Sequence, residues 1–479
     1  MKGRGLFSKF KSRVLNILFW SIISAAFIGP GTVTTATRAG FDFQFQLLWA
    51  LLFSTFACLI LQEASARSTI YSGMNLGQSI KHHYAGKKAQ IPVLILIVGA
   101  IILGCAAYET GNILGSVEGL SLVMPRLDKR LIVAAIAIVA GLALSLKSLR
   151  SMANFMGSFV FIMGITFITT AAFAQPPVED IMHGLLVPSL PSSGAGLIVL
   201  GLVGTTVVPY DLFLGSNVVQ KGTTIKDMRI GVSVAVILGG FISMAILAVG
   251  TEMTSGLSPE AIKNLEFSYK LLSDTLALGI GQWAVYIFGF GMFAAGFTSA
   301  ITAPLSAALT ANSIFNKDTE TKKDSEAAGS TGRFKWIAYA VLIVGVVLGF
   351  LQISPVPAII AAQAFNGLIL PFVSMFLFMV VNDASIMGKD HLNSWASNVL
   401  MIFVTWVTWM LGLLNVVKAT LSVINRSELL NQHDTLFFVL SSLTAFVITA
   451  IISYQIIKKR IKSQKAAEES ESNYSTAKL

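Results

Sequence analysis

Long apolar blocks dominate the chain and alternate with short polar segments. Twelve blocks approach or exceed ~20 residues, the length that crosses a ~30 Å hydrocarbon core as a helix. The strands of a membrane β-barrel would alternate apolar and polar residues, whereas these blocks are continuously apolar. The pattern therefore predicts an all-α polytopic membrane protein with about twelve spans. The spans centre on residues 16–39, 45–64, 91–114, 131–147, 153–175, 195–219, 230–251, 281–308, 335–353, 356–381, 395–416 and 435–457.

Composition and charge distribution agree with this pattern. Of the 479 residues 54% are hydrophobic and 12% are charged, about half the charged fraction of a soluble domain. If the N-terminus is cytoplasmic, 26 of the 34 Lys and Arg residues lie on the inner side, as the positive-inside rule requires. We therefore expect a multi-pass protein of the cytoplasmic membrane with both termini inside. The net charge of +10 is therefore explained by contact of the inner loops with an anionic lipid leaflet, and it does not indicate nucleic-acid binding.

The polar segments predict the domain organisation. Residues 1–457 form a single transmembrane domain, and residues 458–479 are expected to be a solvated cytoplasmic tail. A second polar stretch, Asn316–Arg333, is expected to be a loop. The chain lacks a phosphate-cradling GxxxxGK[ST] motif, an HExxH motif and a nucleophile elbow. These absences argue against an enzyme, and no cofactor is expected.

Two of the apolar blocks are interrupted near their middle. The first contains Gly29-Pro30-Gly31-Thr32, and the sixth contains the segment from Gly204 to Asp211, which includes Pro209. Proline removes a backbone donor and clashes with the preceding turn, and adjacent Gly or Thr eases unwinding, so each span is expected to split into two half-helices. The alternative is that both prolines only kink continuous helices.

The spacing of the two breaks predicts an internal repeat. They lie five spans apart, and because five is odd the second repeat would be inverted, as in transporters with broken helices at the bilayer midplane. Repeat one would cover about 14–175, repeat two about 195–382, and extra helices about 395–457. Paired inverted breaks favour a secondary transporter with alternating access over a channel.

Several ordered motifs resemble the NRAMP family of metal-ion transporters. They comprise Gln62–Arg67, Ser72–Tyr84, Gly204–Gln220, Leu370–Phe372 and Asn382–Gly388. The resemblance covers essentially the first ten spans. It implies a LeuT-like 5+5 inverted repeat with discontinuous helices 1 and 6, a site at the two breaks, and transport of an ion coupled to a second ion.

The chain departs from the NRAMP pattern at positions where that family binds its metal. Gly29 and Thr32 replace the Asp and Asn of the DPGN motif, and Val208 replaces a Met ligand. Thr205 stands in place of an Ala whose carbonyl is a ligand, and Tyr210 in place of a His. A dehydrated divalent ion needs oxygen, nitrogen or sulfur ligands with net negative charge. These replacements therefore argue against a metal ion as the substrate.

The replaced residues predict a different substrate. Free backbone donors at a half-helix N-terminus, together with hydroxyls and the Arg38 guanidinium, would suit an anion. The sequence therefore favours a small anionic or zwitterionic solute. A divalent metal ion (manganese, iron or magnesium) held by substituted ligands is the alternative, and a transporter-derived solute sensor is a second. The candidate substrate-binding residues are Gly29, Gly31, Thr32, Thr35, Thr205, Val208, Tyr210, Asp211 and Gln363, the last by its family position.

Ionisable residues inside the spans are candidates for ion coupling, because a charge at membrane depth is costly unless it is used or paired. Glu109 in span 3 matches a family position associated with proton transfer, and Asp211 follows the second break. Arg38 is the third candidate, although it could also reach the headgroups. The expected coupling ion is a proton. The threonines at the breaks could alternatively bond their own helix backbones.

Overall fold

A computed structural model of the chain describes residues 19–146, 149–173, 175–191, 195–254, 265, 267–315, 332–423 and 433–476. Within these ranges the chain is helical, with no strand. Residues 316–331 of the expected polar loop lie outside the described residues. The helices are α1 (19–27), α2 (Pro30–Phe43), α3 (Leu48–Ser72), α4 (Leu76–His83), α5 (Gln90–Val123), α6 (Lys129–Leu144), α7 (Leu149–Phe173), α8 (Val178–Leu186), α9 (Ala195–Thr206), α10 (Pro209–Asn217), α11 (Ile225–Glu252), α12 (Tyr269–Gly279), α13 (Gln282–Phe315), α14 (Gly332–Phe350), α15 (Pro355–Val381), α16 (Ala384–Met387), α17 (Trp395–Val423) and α18 (Asp434–Thr476).

Apolar helices of membrane-crossing length recur throughout the described ranges. Nine stretches there are long and apolar enough to span a membrane. One of them, Pro30–Ser72, contains two of the predicted spans, because a 3-10 turn at Gln44–Leu47 joins α2 to α3. With α6 and α15 added, these stretches correspond to the twelve predicted spans. The prediction of a polytopic α-helical membrane protein is confirmed.

The first ten spans form two repeats of the same order. A helix in two halves, α1 and α2, is followed by α3, α5, α6 and α7; the halves α9 and α10 are followed by α11, α13, α14 and α15. The third helix of each repeat, α5 or α13, has 34 residues. The predicted LeuT-like 5+5 inverted arrangement is thus confirmed, and the exact repeat boundaries stay a prediction.

Helices α5 and α13 pack against each other along much of their length. Small residues make this close approach possible: a Cβ added at Gly296 of α13 would lie 2.7 Å from the carbonyl oxygen of Asn112 in α5. In a membrane, helix association depends on such close van der Waals contact, because lipid tails are as apolar as the side chains. This pair forms a rigid wall beside the two broken helices, which contact it through α2 and α10.

The C-terminal segment differs from the expected solvated tail. Helix α18 continues without interruption from the membrane-crossing stretch to Thr476. Arg460 is buried, and its Nη1 donates hydrogen bonds to Asn382 Oδ1 at 2.8 Å and to the carbonyl oxygen of Asn393 at 2.7 Å. Arg460 therefore docks this part of α18 on the segments at Asn382 and Asn393, because buried oxygens need donors, while residues 461–463 are exposed.

Candidate functional site

The two broken helices end and restart at the prolines. Gly29 has an extended backbone (φ −112°, ψ −175°) directly before Pro30, the first residue of α2. Val208 is likewise extended (φ −89°, ψ 125°) before Pro209, the first residue of α10. A residue before proline is driven out of the helical region, and proline fits the first helical position because its missing N–H has no partner there. The prolines thus break the helices and do not merely kink them.

The last turn of α1 leaves carbonyl oxygens without helical partners, as every helix C-terminus does. Side-chain hydroxyls from three different helices satisfy them. Ser299 Oγ donates to Ala25 O at 3.2 Å, Tyr210 OH to Ala26 O at 2.8 Å, and Thr32 Oγ1 to Phe27 O at 2.5 Å. Three hydroxyl and three carbonyl oxygens, paired by hydrogen bonds, therefore lie in the turn before the first break.

Gly29 faces a polar path that leads to Glu109. A Cβ added at Gly29 would lie 3.4 Å from Asn112 Oδ1 and 2.8 Å from Ser299 Oγ. Asn112 Nδ2 in turn donates to Glu109 Oε2 at 3.3 Å, while Glu109 Oε1 has no hydrogen-bond partner. Glu109 is fully buried, and Gly345 of α14 packs directly on it. One amide side chain therefore joins the break in span 1 to a buried carboxyl group.

Gln363 covers the other glycine of the first break. A Cβ added at Gly31 would lie only 1.6 Å from Gln363 Nε2, so glycine is required for this contact. Tyr108 OH donates to Gln363 Oε1 and also lies 3.4 Å from the carbonyl oxygen of Gly204, close to the second break. Gln363 is buried, and the structure places it against Gly31 at the first break.

Asp211 lies on α10 and faces α3. Gln62 Nε2 donates to Asp211 Oδ2 at 2.7 Å, and both residues are fully buried. The other oxygens of this pair, Asp211 Oδ1 and Gln62 Oε1, have no hydrogen-bond partner. The ring of Tyr210, the residue before Asp211, lies 5.6 Å from the ring of Tyr108, the residue before Glu109. Two tyrosines in contact thus lie next in sequence to the two buried carboxyl groups.

The remaining candidates contribute fewer polar groups to the breaks. Val208 is buried and supplies only an apolar side chain. Thr205 Oγ1 bonds the carbonyl oxygen of Leu202 in its own helix at 3.1 Å, as the alternative for the threonines foresaw. The methyl group of Thr35 packs near Gly201 of α9. Among the described residues, no group of three or more His, Cys, Asp and Glu side chains is arranged to hold a metal ion.

Arg38 does not join the buried carboxyl groups. Its Nε forms an ion pair with Asp42 at 3.2 Å near the outer end of α2, and the side chain is 38% exposed. Arg38 lies eight positions after Pro30 along the helix, which corresponds to about 12 Å. The structure therefore places Arg38 in an ion pair away from the break, and its role in ion coupling stays a prediction.

The sequence analysis did not identify three residues that lie at the site: Tyr108, Ser299 and Gln62. Gln62 carries a usable signal, because a polar residue inside an apolar span is costly unless it has a partner. Ser299 and Tyr108 carry none, because serine and tyrosine are common in spans and their partners are up to 274 residues away in the chain.

Comparisons with known proteins point in one direction. A family model described as natural resistance-associated macrophage protein-like (Nramp) matches residues 21–418. The divalent metal cation transporter MntH of Bacillus subtilis is 25% identical over 407 residues, which cover 82% of this chain and 88% of that protein. MntH of Klebsiella pneumoniae strain 342 is 25% identical over 292 residues, 60% of this chain and 68% of that protein.

Solved structures share the fold. The manganese transporter of Eremococcus coleocola, in complex with an aromatic bis-isothiourea compound, superposes with a TM-score of 0.68 at 18% identity. The match covers 94% of this chain and 96% of that one. MhsT in complex with L-phenylalanine gives a TM-score of 0.56 at 14% identity, covering 85% and 98% of the two chains. Identities this low show a common fold and leave the substrate open.

Proposed function

Because this chain belongs to the Nramp family of membrane transporters, we propose that it is an ion-coupled secondary transporter whose substrate is a divalent metal ion bound at the break in span 1. The similar proteins favour this alternative over the anionic or zwitterionic solute that the sequence analysis preferred. Two of them carry the name divalent metal cation transporter, and that activity is transferred here as a proposal.

The observation that supports the proposal best is the set of oxygen atoms at the end of α1. The hydroxyls of Ser299, Tyr210 and Thr32 each donate a hydrogen bond to a carbonyl oxygen in the last turn of the helix. Hard divalent cations such as Mg²⁺ and Mn²⁺ prefer oxygen ligands, and Mg²⁺ commonly keeps several of its waters. An ion that retains part of its hydration shell needs fewer side-chain ligands than a fully dehydrated one.

The replacement at Val208 refines the choice of ion. The resembling family has a methionine at this place, a soft ligand that favours transition metals, whereas valine offers no donor atom. Loss of a soft ligand weakens selection against magnesium. We therefore expect manganese and magnesium to be closer competitors in this protein than in a site that contains a thioether.

Negative charge for such a cation would come from the two buried carboxyl groups. Glu109 reaches the break through Asn112, and Asp211 lies one residue from Tyr210. We propose that Glu109 carries the coupling proton, since it has one oxygen without a partner and lies inside the membrane-spanning part of α5. The metal ion and the proton would then compete for the negative charge of these carboxyl groups.

A small anion is the second candidate, and one observation favours it. Gly29 places no carboxylate at the break, and α2 and α10 both begin there with the positive ends of their helix dipoles. A sensor without transport is a third candidate.

The test is uptake into proteoliposomes that contain the purified full chain. Saturable uptake of Mn²⁺ or Mg²⁺, stimulated by an inward proton gradient, is expected, with protein-free vesicles as the control. Uptake of bicarbonate or a small carboxylate without any metal uptake would establish the anion instead. Binding of a metal without flux would establish a sensor.

A further inference from the structure

A cluster of basic residues lies at the end of the bundle where the charge pattern places the cytoplasm. His83 at the end of α4 contacts Asp383 Oδ2 through Nδ1 at 2.6 Å. Lys459 of α18 donates to the same carboxylate oxygen from Nζ at 2.9 Å. Asp383, which follows α15, therefore joins α4 to the C-terminal helix.

A second lysine approaches this cluster from the turn between α4 and α5. Lys87 Nζ lies 5.1 Å from the centre of the Tyr84 ring, a cation–π contact. Desolvation and the positive charge of Lys459 lower the pKa of Lys87, while the Asp383 carboxylate opposes this shift. His83 and Lys459 contact the same oxygen of Asp383, and Lys87 lies over the ring of Tyr84, the residue after His83, so the two lysines approach one small region. Such a pair of ammonium groups would be stabilised by an anion that contacts both.

The cluster lies at the depth of the lipid headgroups. The apolar stretch Thr435–Gln464 of α18 ends just after Lys459. One turn earlier on α18, Tyr454 is 64% exposed, and Lys458 Nζ lies 5.4 Å from its ring. Exposed tyrosines flanked by lysines are typical of the membrane–water interface.

An apolar surface for acyl chains adjoins the same place. Ile91 and Ile95 at the start of α5 are 69% and 63% exposed. On α18, Ile451 and Val447 are 53% and 54% exposed. Val447, Ile451, Tyr454 and Lys458 recur at helical spacing on α18 and share one face, so a lipid whose headgroup contacted Lys458 would find apolar side chains below it.

We propose that Lys87, Lys458 and Lys459, flanked by Tyr84 and Tyr454, bind the phosphate of an anionic phospholipid of the inner leaflet. Basic pockets between helix ends on the cytoplasmic side suit such headgroups. The lipid would hold α18 against the turn between α4 and α5. Because α18 lies outside the matched residues 21–418, part of this site belongs to a segment that the family model does not include.

The experiment is native mass spectrometry of the purified full chain titrated with phosphatidylglycerol, and separately with phosphatidylcholine. We expect preferential retention of phosphatidylglycerol. The double variant Lys87→Gln/Lys459→Gln should weaken its binding by roughly fivefold for each lysine, whereas Lys87→Arg/Lys459→Arg should retain it. Lys226→Gln/Lys335→Gln removes two exposed lysines elsewhere and should leave retention unchanged.

Three outcomes would overturn the proposal. The first is equal retention of phosphatidylglycerol by the wild-type chain and the Lys87→Gln/Lys459→Gln variant. The second is an equal loss in the Lys226→Gln/Lys335→Gln control, which would mean that only the net charge matters. The third is displacement of the lipid by an equal concentration of inorganic phosphate, which would identify a site for the free anion.

Discussion

Gln363 contacts Gly31 at the start of α2, where the first broken helix resumes, and a side chain at residue 31 would clash with the Gln363 amide. Gln363 accepts a hydrogen bond from Tyr108, so its position is coupled to α5 as well as to α2. Displacing this amide should therefore disturb the site from two sides at once.

Gly31→Ala is the direct test of this contact. The added Cβ would stand 1.6 Å from Gln363 Nε2 and force the amide away. Because small displacements of positioning groups can have large effects on rate, we expect uptake to fall by about tenfold or more. Gly99→Ala is the control, since nothing lies within 4 Å of a Cβ there. Normal uptake by Gly31→Ala would show that Gln363 does not position the site.

Glu109→Gln tests proton coupling. The amide keeps the size of the side chain and removes its charge, so we expect gradient-driven accumulation to be lost while exchange of substrate across the membrane continues. The measurement compares both modes in the same proteoliposomes. Glu118→Gln serves as control, because Glu118 pairs with Lys129 near the C-terminal end of α5. Accumulation that persists in Glu109→Gln would remove this residue from the mechanism.

Gly29→Asp tests the choice of substrate. It reintroduces the carboxylate that the resembling family has at this place, and Ser299→Ala should accompany it because Ser299 Oγ lies 2.8 Å from the new Cβ. For a metal substrate, we expect the apparent affinity for Mn²⁺ to rise by about tenfold, or ~1.4 kcal/mol. An anionic substrate would instead be repelled and its uptake reduced. Ser299→Ala alone separates the effect of the lost hydroxyl.

Asp211→Asn tests whether the second buried carboxyl group contributes charge. The amide can still accept the hydrogen bond from Gln62 Nε2, so we expect the fold to persist while the apparent affinity for the divalent ion falls by about tenfold, or ~1.4 kcal/mol. Asp274→Asn, an exposed acidic residue in α12, is the control. An unchanged affinity together with a loss of folded protein would assign Asp211 a structural role only.

The contacts of Asp383 predict a pH dependence of stability. Desolvation raises its pKa, but hydrogen bonds from His83, Lys459 and Ser385 outweigh this and hold the pKa well below the ordinary value. A carboxyl group with a lowered pKa stabilises the folded state above its unfolded pKa of about 3.9, and this contribution is lost as the pH falls through the folded pKa.

We therefore expect Asp383→Asn to lower the free energy of unfolding at pH 7 by roughly 1–3 kcal/mol, the contribution of hydrogen bonds to a charged group. The difference from the wild-type chain should remain between pH 7 and pH 5 and shrink below pH 4. Thermal unfolding in detergent at several pH values measures it. Asp390→Asn, an exposed neighbour, controls for surface charge, and equal melting temperatures at pH 7 would refute the expectation.

The sequence by itself determined the membrane-spanning helices of this protein and the two breaks in them. Span lengths follow from the local run of apolar residues, and the breaks follow from Pro30 and Pro209, whose steric effect acts on the adjacent residues only. The inverted repeat follows from counting spans between the breaks.

Only the tertiary structure decided which groups meet at the breaks. Ser299 reaches Ala25 across 274 residues, and Gln62 reaches Asp211 across 149. Such pairs depend on how helices rotate and pack, which a single apolar sequence does not specify, because an apolar helix can present any face to lipid or protein. The pair of Arg38 and Asp42 is different, because its members are four residues apart on one helix and meet through local helix geometry.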